Sequence, residues 1–236
     1  IWLSTPAARL ASLKRCWVCT MALIAILSDV HANYDALTAV LNRAEELHVE
    51  YYFILGDTIG YYFDSEKVID RILDLPATVI AGNHERMFVD GLNSRSARLA
   101  YKQKYGASFD LAYKSLSAPH VEWIKKLKFT ARLNKYNNIF DVCHGAPWDC
   151  DAYIYPDAPT SALEACLDSN VTFTLTGHTH YSMMKRISAS QILINPGSVG
   201  QPRDISGYAS WCTISLNDKD IPFDRKTPHV YSSLLG

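Results

Sequence analysis

The chain has 236 residues, of which 23 are Lys or Arg and 24 are Asp or Glu, and 48% are apolar. That composition excludes a disordered, collagen-like or coiled-coil protein, and a chain of this length can bury roughly 70% of its unfolded surface in a core. The net charge of −1 lacks the basic excess of many nucleic-acid binders, and apolar runs of about six residues fall short of the about 20 that a membrane span needs.

The segment before Met21 carries Arg9, Lys14 and Arg15 and no acid, with charges interrupting each apolar stretch. It does not read as a secretory signal. Residues 1–20 are expected to be an extension outside the fold, with Met21 as the natural start and 21–236 as a single domain. From there, Ala22 to Leu27 is a continuous apolar run, the signature of a strand buried on both faces. Leu37, Val40, Leu41, Ala44 and Leu47 mark one face of a helix, with Asn33 or Asp35 able to cap it. Tyr51 to Leu55 is a second strand, and Val68, Ile69, Ile72 and Leu73 mark a second helix stopped by Pro76. Ala77 to Ala81 is a third strand. Residues 86–127 read mainly as helix, with Pro119 suited to a first helical position. Further strands are expected at Phe129 to Leu133, Ile139 to Cys143, Val171 to Leu175, Ile192 to Ile194 and Ser210 to Ile214, with a helix around Ala162, Leu163 and Ala165. This alternation implies an α/β protein.

The polar residues fall in a pattern. Five clusters follow five apolar strands: Asp29-Val30-His31, Gly56-Asp57, Gly82-Asn83-His84-Glu85, His144-Gly145 and Gly177-His178-Thr179-His180. Ligands of α/β sheets bind at this edge. Any one cluster is an ordinary turn, but five together need five coincidences. Carboxylates, imidazoles and one amide oxygen suit Mn, Fe, Zn or Ni better than Ca or Mg alone. Asp29 and His31 are two apart, as are His178 and His180, so on an extended strand end each pair is expected to point the same way. The cysteines at 16, 19, 143, 150, 166 and 212 form no disulfide framework in a chain this large, and reduced thiols in the cytoplasm are the expectation.

These five clusters, in this order, resemble the motifs of calcineurin-like metallophosphoesterases, over Ala22 to Ile214. The stretch from Ile194 to Arg203 is similar to the branch of small bacterial phosphodiesterases. The resemblance implies a four-layer αββα sandwich and two divalent metal ions. Asp29, His31 and His180 would hold the first ion, Asn83, His144 and His178 the second, and Asp57 would bridge both. It implies hydrolysis of a small phosphodiester or phosphomonoester by in-line attack of a hydroxide shared by the ions, with His84 facing the leaving group. Arg203 and Tyr61 are candidate contacts to the substrate phosphate. Protein serine/threonine phosphatases of the superfamily carry Asp and Arg where this chain has Gly60 and Tyr61, which argues against a phosphoprotein substrate and leaves open what orients His84. Tyr62, Phe63, Trp148, Tyr153 and Tyr181 also flank the motifs, and aromatics there can pack or stack a base. A nuclease of the same superfamily would need a basic surface, which the net charge does not advertise. A non-catalytic scaffold would be expected to have lost some of these residues, and all are present. Neither a membrane nor a nucleic acid is expected as partner.

Overall fold

The computed structural model describes residues 22–204 and 207–216. The expectations for residues 1–20, and with them Cys16 and Cys19, lie outside that range.

The run after Met21 forms β1 (Ala22–Leu27), and its alternate side chains enter two different cores. Ala25 and Leu27 meet α1 (Tyr34–Glu46) and α2 (Ser65–Leu73), while Ile24 and Ile26 face the opposite sheet. This is the strand period of two, buried on both sides as the uninterrupted apolar run predicts. β1 pairs in parallel with β2 (Tyr51–Ile54), β2 with β3 (Ala77–Val79), and β1 antiparallel with β9 (Cys212–Leu216), giving the order β3-β2-β1-β9.

The second sheet contains β4 (Thr130–Lys135), β5 (Asn138–Cys143), β6 (Phe173–Leu175), β7 (Ser182–Arg186) and β8 (Ile192–Pro196), in the order β4-β5-β6-β8-β7. The β5-β6-β8 centre is parallel and both edges are antiparallel. Phe53, Phe140, Phe173, Ile192 and Ile194 fill the space between the sheets. Leu193 points the other way, to α7 (Thr160–Ala165) and Met183. The layers are therefore helices, sheet, sheet and a thinner helical cover, the four-layer sandwich.

The helical stretch 86–127 is four helices: α3 (Asn83–Asn93), α4 (Arg95–Tyr105), α5 (Ser108–Ser115) and α6 (Ala118–Lys126). Ser94 caps α4 by accepting from the Ala97 amide at 3.2 Å, and Gly106, with φ +75°, ends it. These helices enclose their own core of Met87, Phe88, Phe109, Ala112 and Ile124, which joins α2 through Ile69. Pro119 sits one residue further into its helix than expected, after Ala118. The last strand lies at Cys212–Leu216 rather than from Ser210, because Ser210 turns aside to donate its hydroxyl to Pro196 O at 2.7 Å. β7 was not expected from sequence: only Met183 of its five residues is buried. Cys143, Cys150, Cys166 and Cys212 are free thiols, as expected. No helix among the described residues is long and apolar enough to cross a membrane.

Candidate metal centre

The five clusters converge on one buried locus where the ends of the two sheets meet. The loop after β1 is tied to the loop after β2 by Asp29 N–H donating to Gly56 O at 3.1 Å and His31 N–H donating to Asp57 O at 2.8 Å. The loop after β6 is held to that after β5 by Gly177 N–H donating to His144 O at 2.6 Å. Glu85, in the first turn of α3, gathers the β2 end. Its carboxylate accepts from the amides of Asp57 and Gly82, both at 2.8 Å, and from the amide and hydroxyl of Thr58, both at 2.7 Å. Burial and the Asp57 charge push the Glu85 carboxyl up. Sequence reading passed over Glu85 as a site-builder, although its place three residues after Gly82 is the capping-box spacing that makes such contacts.

The strand ends do not stay extended. Asp29, His31, Asp57, His178 and His180 all have φ between 52° and 67°, a region costly for residues with a Cβ and concentrated at functional sites. The expectation that residues two apart point the same way therefore needs correction. His178 groups with Asp57 and His144, whereas His180 groups with Asp29 and His31. Asp29 and His31 do converge, at 3.7 Å between Oδ1 and Nε2, but through left-handed turns rather than a pleat.

Each carboxylate has one oxygen committed to backbone. Asp29 Oδ2 accepts from the His178 amide at 3.0 Å, and Asp57 Oδ1 from the His84 amide at 2.8 Å. The other oxygens face imidazoles: Asp29 Oδ1 lies 3.3 Å from His180 Nε2, and Asp57 Oδ2 lies 3.3 Å from His144 Nε2. The Nδ1 atoms of His31, His144 and His180 donate to the carbonyls of Ile59, Leu55 and Gln201, at 3.3, 2.7 and 2.6 Å. Their Nε2 atoms are thus left with bare lone pairs. His31 Nε2 and His180 Nε2 stand 3.0 Å apart, and His144 Nε2 stands 3.0 Å from the Asn83 amide oxygen. Lone pairs set against lone pairs repel unless a cation lies among them. Asp29 Oδ1 and His178 Nε2 are also buried with no hydrogen-bond partner among the described residues. Both groups, Asp29–His31–His180 and Asp57–His144–His178, bring their ligand atoms within 4.8 Å of one another. The donor set fits divalent metal, and carbonyl-anchored imidazoles are how proteins orient such ligands.

The electrostatics agree. Burial opposes the charge on Asp57, but His144 and His84 outweigh it and hold the carboxyl well below the usual carboxylate range. Asp29 is held low in the same way by His180 and His144. Burial, reinforced by neighbouring imidazoles, lowers His31 and takes His178 to about 4. His144 is pushed up, to about 10, because Asp57 and Asp29 overcome its burial.

His84 lies beside this set, its Nε2 4.0 Å from Asp57 Oδ2. Burial lowers its pKa. Tyr61 packs edge-on against the His31 ring at 4.6 Å. Arg203 is exposed and donates its amide to His180 O at 3.1 Å; its charge reaches Tyr61 and Tyr153. Tyr153 covers His178 with ring centroids 4.1 Å apart and stacks on Tyr155, which meets Tyr181. Tyr62, Phe63 and Trp148 are 37%, 60% and 59% exposed, and no ring contact joins them to the site histidines. Tyr105 and Phe109, 5.0 and 5.4 Å from the His84 ring, were not expected from sequence. They come from the helical stretch, where nothing in the local pattern marks which rings turn toward the strands.

Comparison with known proteins finds relatives that span most of the chain. An uncharacterized protein of Methanocaldococcus jannaschii is 28% identical over 224 residues, covering 86% of this chain and 87% of its own length. A solved metallophosphoesterase from Sphaerobacter thermophilus is 28% identical with a TM-score of 0.68, covering 83% of this chain and 84% of its own. A hypothetical protein of Pyrococcus horikoshii OT3 shares the fold at 22% identity and a TM-score of 0.70, covering 84% of this chain and 88% of its own. The family description that matches residues 22–219 is that of the calcineurin-like phosphoesterase superfamily domain, and the chain belongs to that superfamily.

Proposed function

We propose that the chain hydrolyses small phosphate esters, diesters in preference to monoesters, with two divalent metal ions. The observation that carries this reading is the pair of buried donor sets sharing Asp57, with imidazole and amide lone pairs facing one another at 3.0 Å. Asp29, His31 and His180 would hold one ion, Asn83, His144 and His178 the other, and Asp57 both. Ions there supply Lewis acidity, acidifying water to a nucleophile near neutral pH and neutralising phosphate charge. The imidazole and carboxylate donors suit Mn, Fe, Zn or Ni.

The chain's own groups do the rest. The Ile59, Leu55 and Gln201 carbonyls hold the histidine tautomers, so no ring must reorganise during turnover. His84 Nε2, 4.0 Å from Asp57 Oδ2, would give a proton to a departing alkoxide, help worth about 10²–10⁴-fold. Arg203 adds a charge-assisted contact to a phosphate oxygen. A diester carries less charge than a monoester dianion and needs fewer such contacts.

The test is turnover of bis-p-nitrophenyl phosphate by the chain loaded in turn with Mn, Ni, Mg and Zn, with metal per chain measured alongside. Metal-dependent turnover with two ions bound is expected. Two bound ions without turnover of any ester in a broad panel would overturn the reading in favour of a non-catalytic role.

A further inference from the structure

His84 is 2% exposed, and its Nδ1 has no hydrogen-bond partner among the described residues. The usual way to orient an imidazole is a carboxylate or carbonyl on Nδ1, as His31, His144 and His180 have here. His84 has aromatic rings instead. Phe109 lies parallel to it, centroids 5.4 Å apart and planes at 28°. Tyr61 lies at 4.9 Å and 32°, and Tyr105 meets it edge-on at 5.0 Å and 64°. His31 borders the ring at 4.7 Å, and a further side is Gly60. A Cβ there would lie 2.0 Å from His84 Nδ1 and 2.9 Å from Cε1, so the ring occupies the volume that any other residue at position 60 would fill. Gly60 also has φ +88°, which only glycine adopts at little cost.

We propose that the α4–α5 helical pair positions His84 for its task, with Phe109 and Tyr105 fixing the plane of the imidazole in a slot floored by Gly60. This rests on the proposed phosphoesterase reading for what the task is, but the slot itself is geometry. Phe109 is 1% exposed and belongs to the same core as Met87, Phe88 and Ile124, so one wall of the slot is part of the helical core. Gly60 and Tyr61 thus acquire a reason that the sequence leaves open. At Gly60 the chain gives the volume of a side chain to the His84 ring, and the ring takes its orientation from packing. Tyr105 and Phe109 are positioning residues. They act on turnover through His84, and the effect should appear only where the leaving group needs a proton.

The experiment compares methyl phenyl phosphate with methyl p-nitrophenyl phosphate, a pair differing only in the leaving group, using the metal-loaded full chain. Tyr105→Leu and Phe109→Leu should each lose about 10²-fold on the phenyl ester, the cost of about 1 Å of misplacement at a reacting centre. Turnover of the nitrophenyl ester and metal content should change little, and Tyr105→Phe, which keeps the ring, should restore the phenyl ester. Equal losses on both esters, or no loss on either, would overturn the assignment. A second readout does not depend on turnover. The ring proton on His84 Cε1, assigned by comparison with His84→Ala, should carry a ring-current shift that moves in both Leu variants and stays in Tyr105→Phe. An unmoved resonance in both Leu variants overturns the slot. If the wild-type chain cleaves neither ester, the phosphoesterase reading falls while the resonance still decides the slot.

Discussion

Asp57, after β2, and Glu85, in the first turn of α3, are both buried carboxylates, and they do opposite work. Glu85 spends all its acceptor capacity on backbone and on Thr58, so it holds the loop and faces no ion. Asp57 spends one oxygen on the His84 amide and leaves the other among imidazoles. The two substitutions should therefore separate. Glu85→Ala strands five buried donors, the Ile59 amide among them, at about 1–3 kcal/mol each, partly relieved by water. We expect the metal-free chain to lose at least about 3 kcal/mol, in line with breaking other buried charged networks. Asp57→Asn keeps an acceptor for the His84 amide but removes the charge shared by both ions. Bound metal and turnover should nearly vanish. Denaturant unfolding of both metal-free variants, with metal analysis after loading, checks the pair. Full metal occupancy in Asp57→Asn would refute the shared-ligand assignment, and a wild-type unfolding midpoint in Glu85→Ala would show that its hydrogen bonds are replaceable.

The elements carry the site by bringing two sheets together, and the contact that does so is aromatic. Phe140 stacks on Phe173 at 5.0 Å and 15°, and packs on Phe53 at 5.0 Å, so β2 of one sheet is keyed to β5 and β6 of the other. Phe173→Ala should cost about 3–5 kcal/mol, the usual loss for a fully buried ring. At about 2–4 °C per kcal/mol for a chain of this size, thermal melting will register it readily. Below the transition, metal content should hold, since Phe173 belongs to the core between the sheets and not to a donor group. Loss of metal at full folding would mean that the sheets position the ions through this stack.

Much of this was legible beforehand. Strands buried on both faces are written as unbroken apolar runs, and the polar residue after each run marks the edge where loops converge. What was not legible is two-bodied. β7 hides because Ser182, Lys185 and Arg186 leave no alternating apolar pattern. Its pairing with β8 is set by register across the sheet, a property of two segments. The left-handed backbone at five ligand positions is likewise imposed by neighbouring loops, which is why spacing alone misdirected the His178 and His180 side chains. The rings around His84 come from helices whose ends are set by Ser94 and Gly106, and no local signal says which turn faces inward.

At the scale of the molecule, one sheet contributes Asp29 and His31 after β1, Asp57 after β2 and Asn83 at the start of α3 after β3, and the other contributes His144, His178 and His180. The helical cluster closes the His84 side. The other side is formed by the segment around Tyr153, which Arg86 of α3 holds by pairing with Asp151 at 2.6 Å. What borders the donors is therefore aromatic, with Tyr61 on His31 and Tyr153 on His178, and Arg203 as a nearby cation. A phosphoserine peptide brings a dianion on a flexible polar chain and is best held by a bidentate arginine fork. At the place where related protein phosphatases supply that fork, this chain has Tyr61, locked edge-on against His31, and the preceding position admits only glycine. A small ester with a flat leaving group asks less of cations and gains from the tyrosine faces, where stacking is worth about 1–3 kcal/mol per ring. We therefore expect kcat/KM to fall in the order bis-p-nitrophenyl phosphate, p-nitrophenyl phosphate, phosphoserine peptide. Tyr153→Ala should raise KM for the aryl esters more than it lowers kcat, because Tyr153 borders the site without offering a proton or a ligand atom. Steady-state kinetics on the three substrates decides it. Were the peptide the best of the three, the Gly60 and Tyr61 argument would fail, and recognition would have to run through Arg203 and the exposed face of the helical cluster instead.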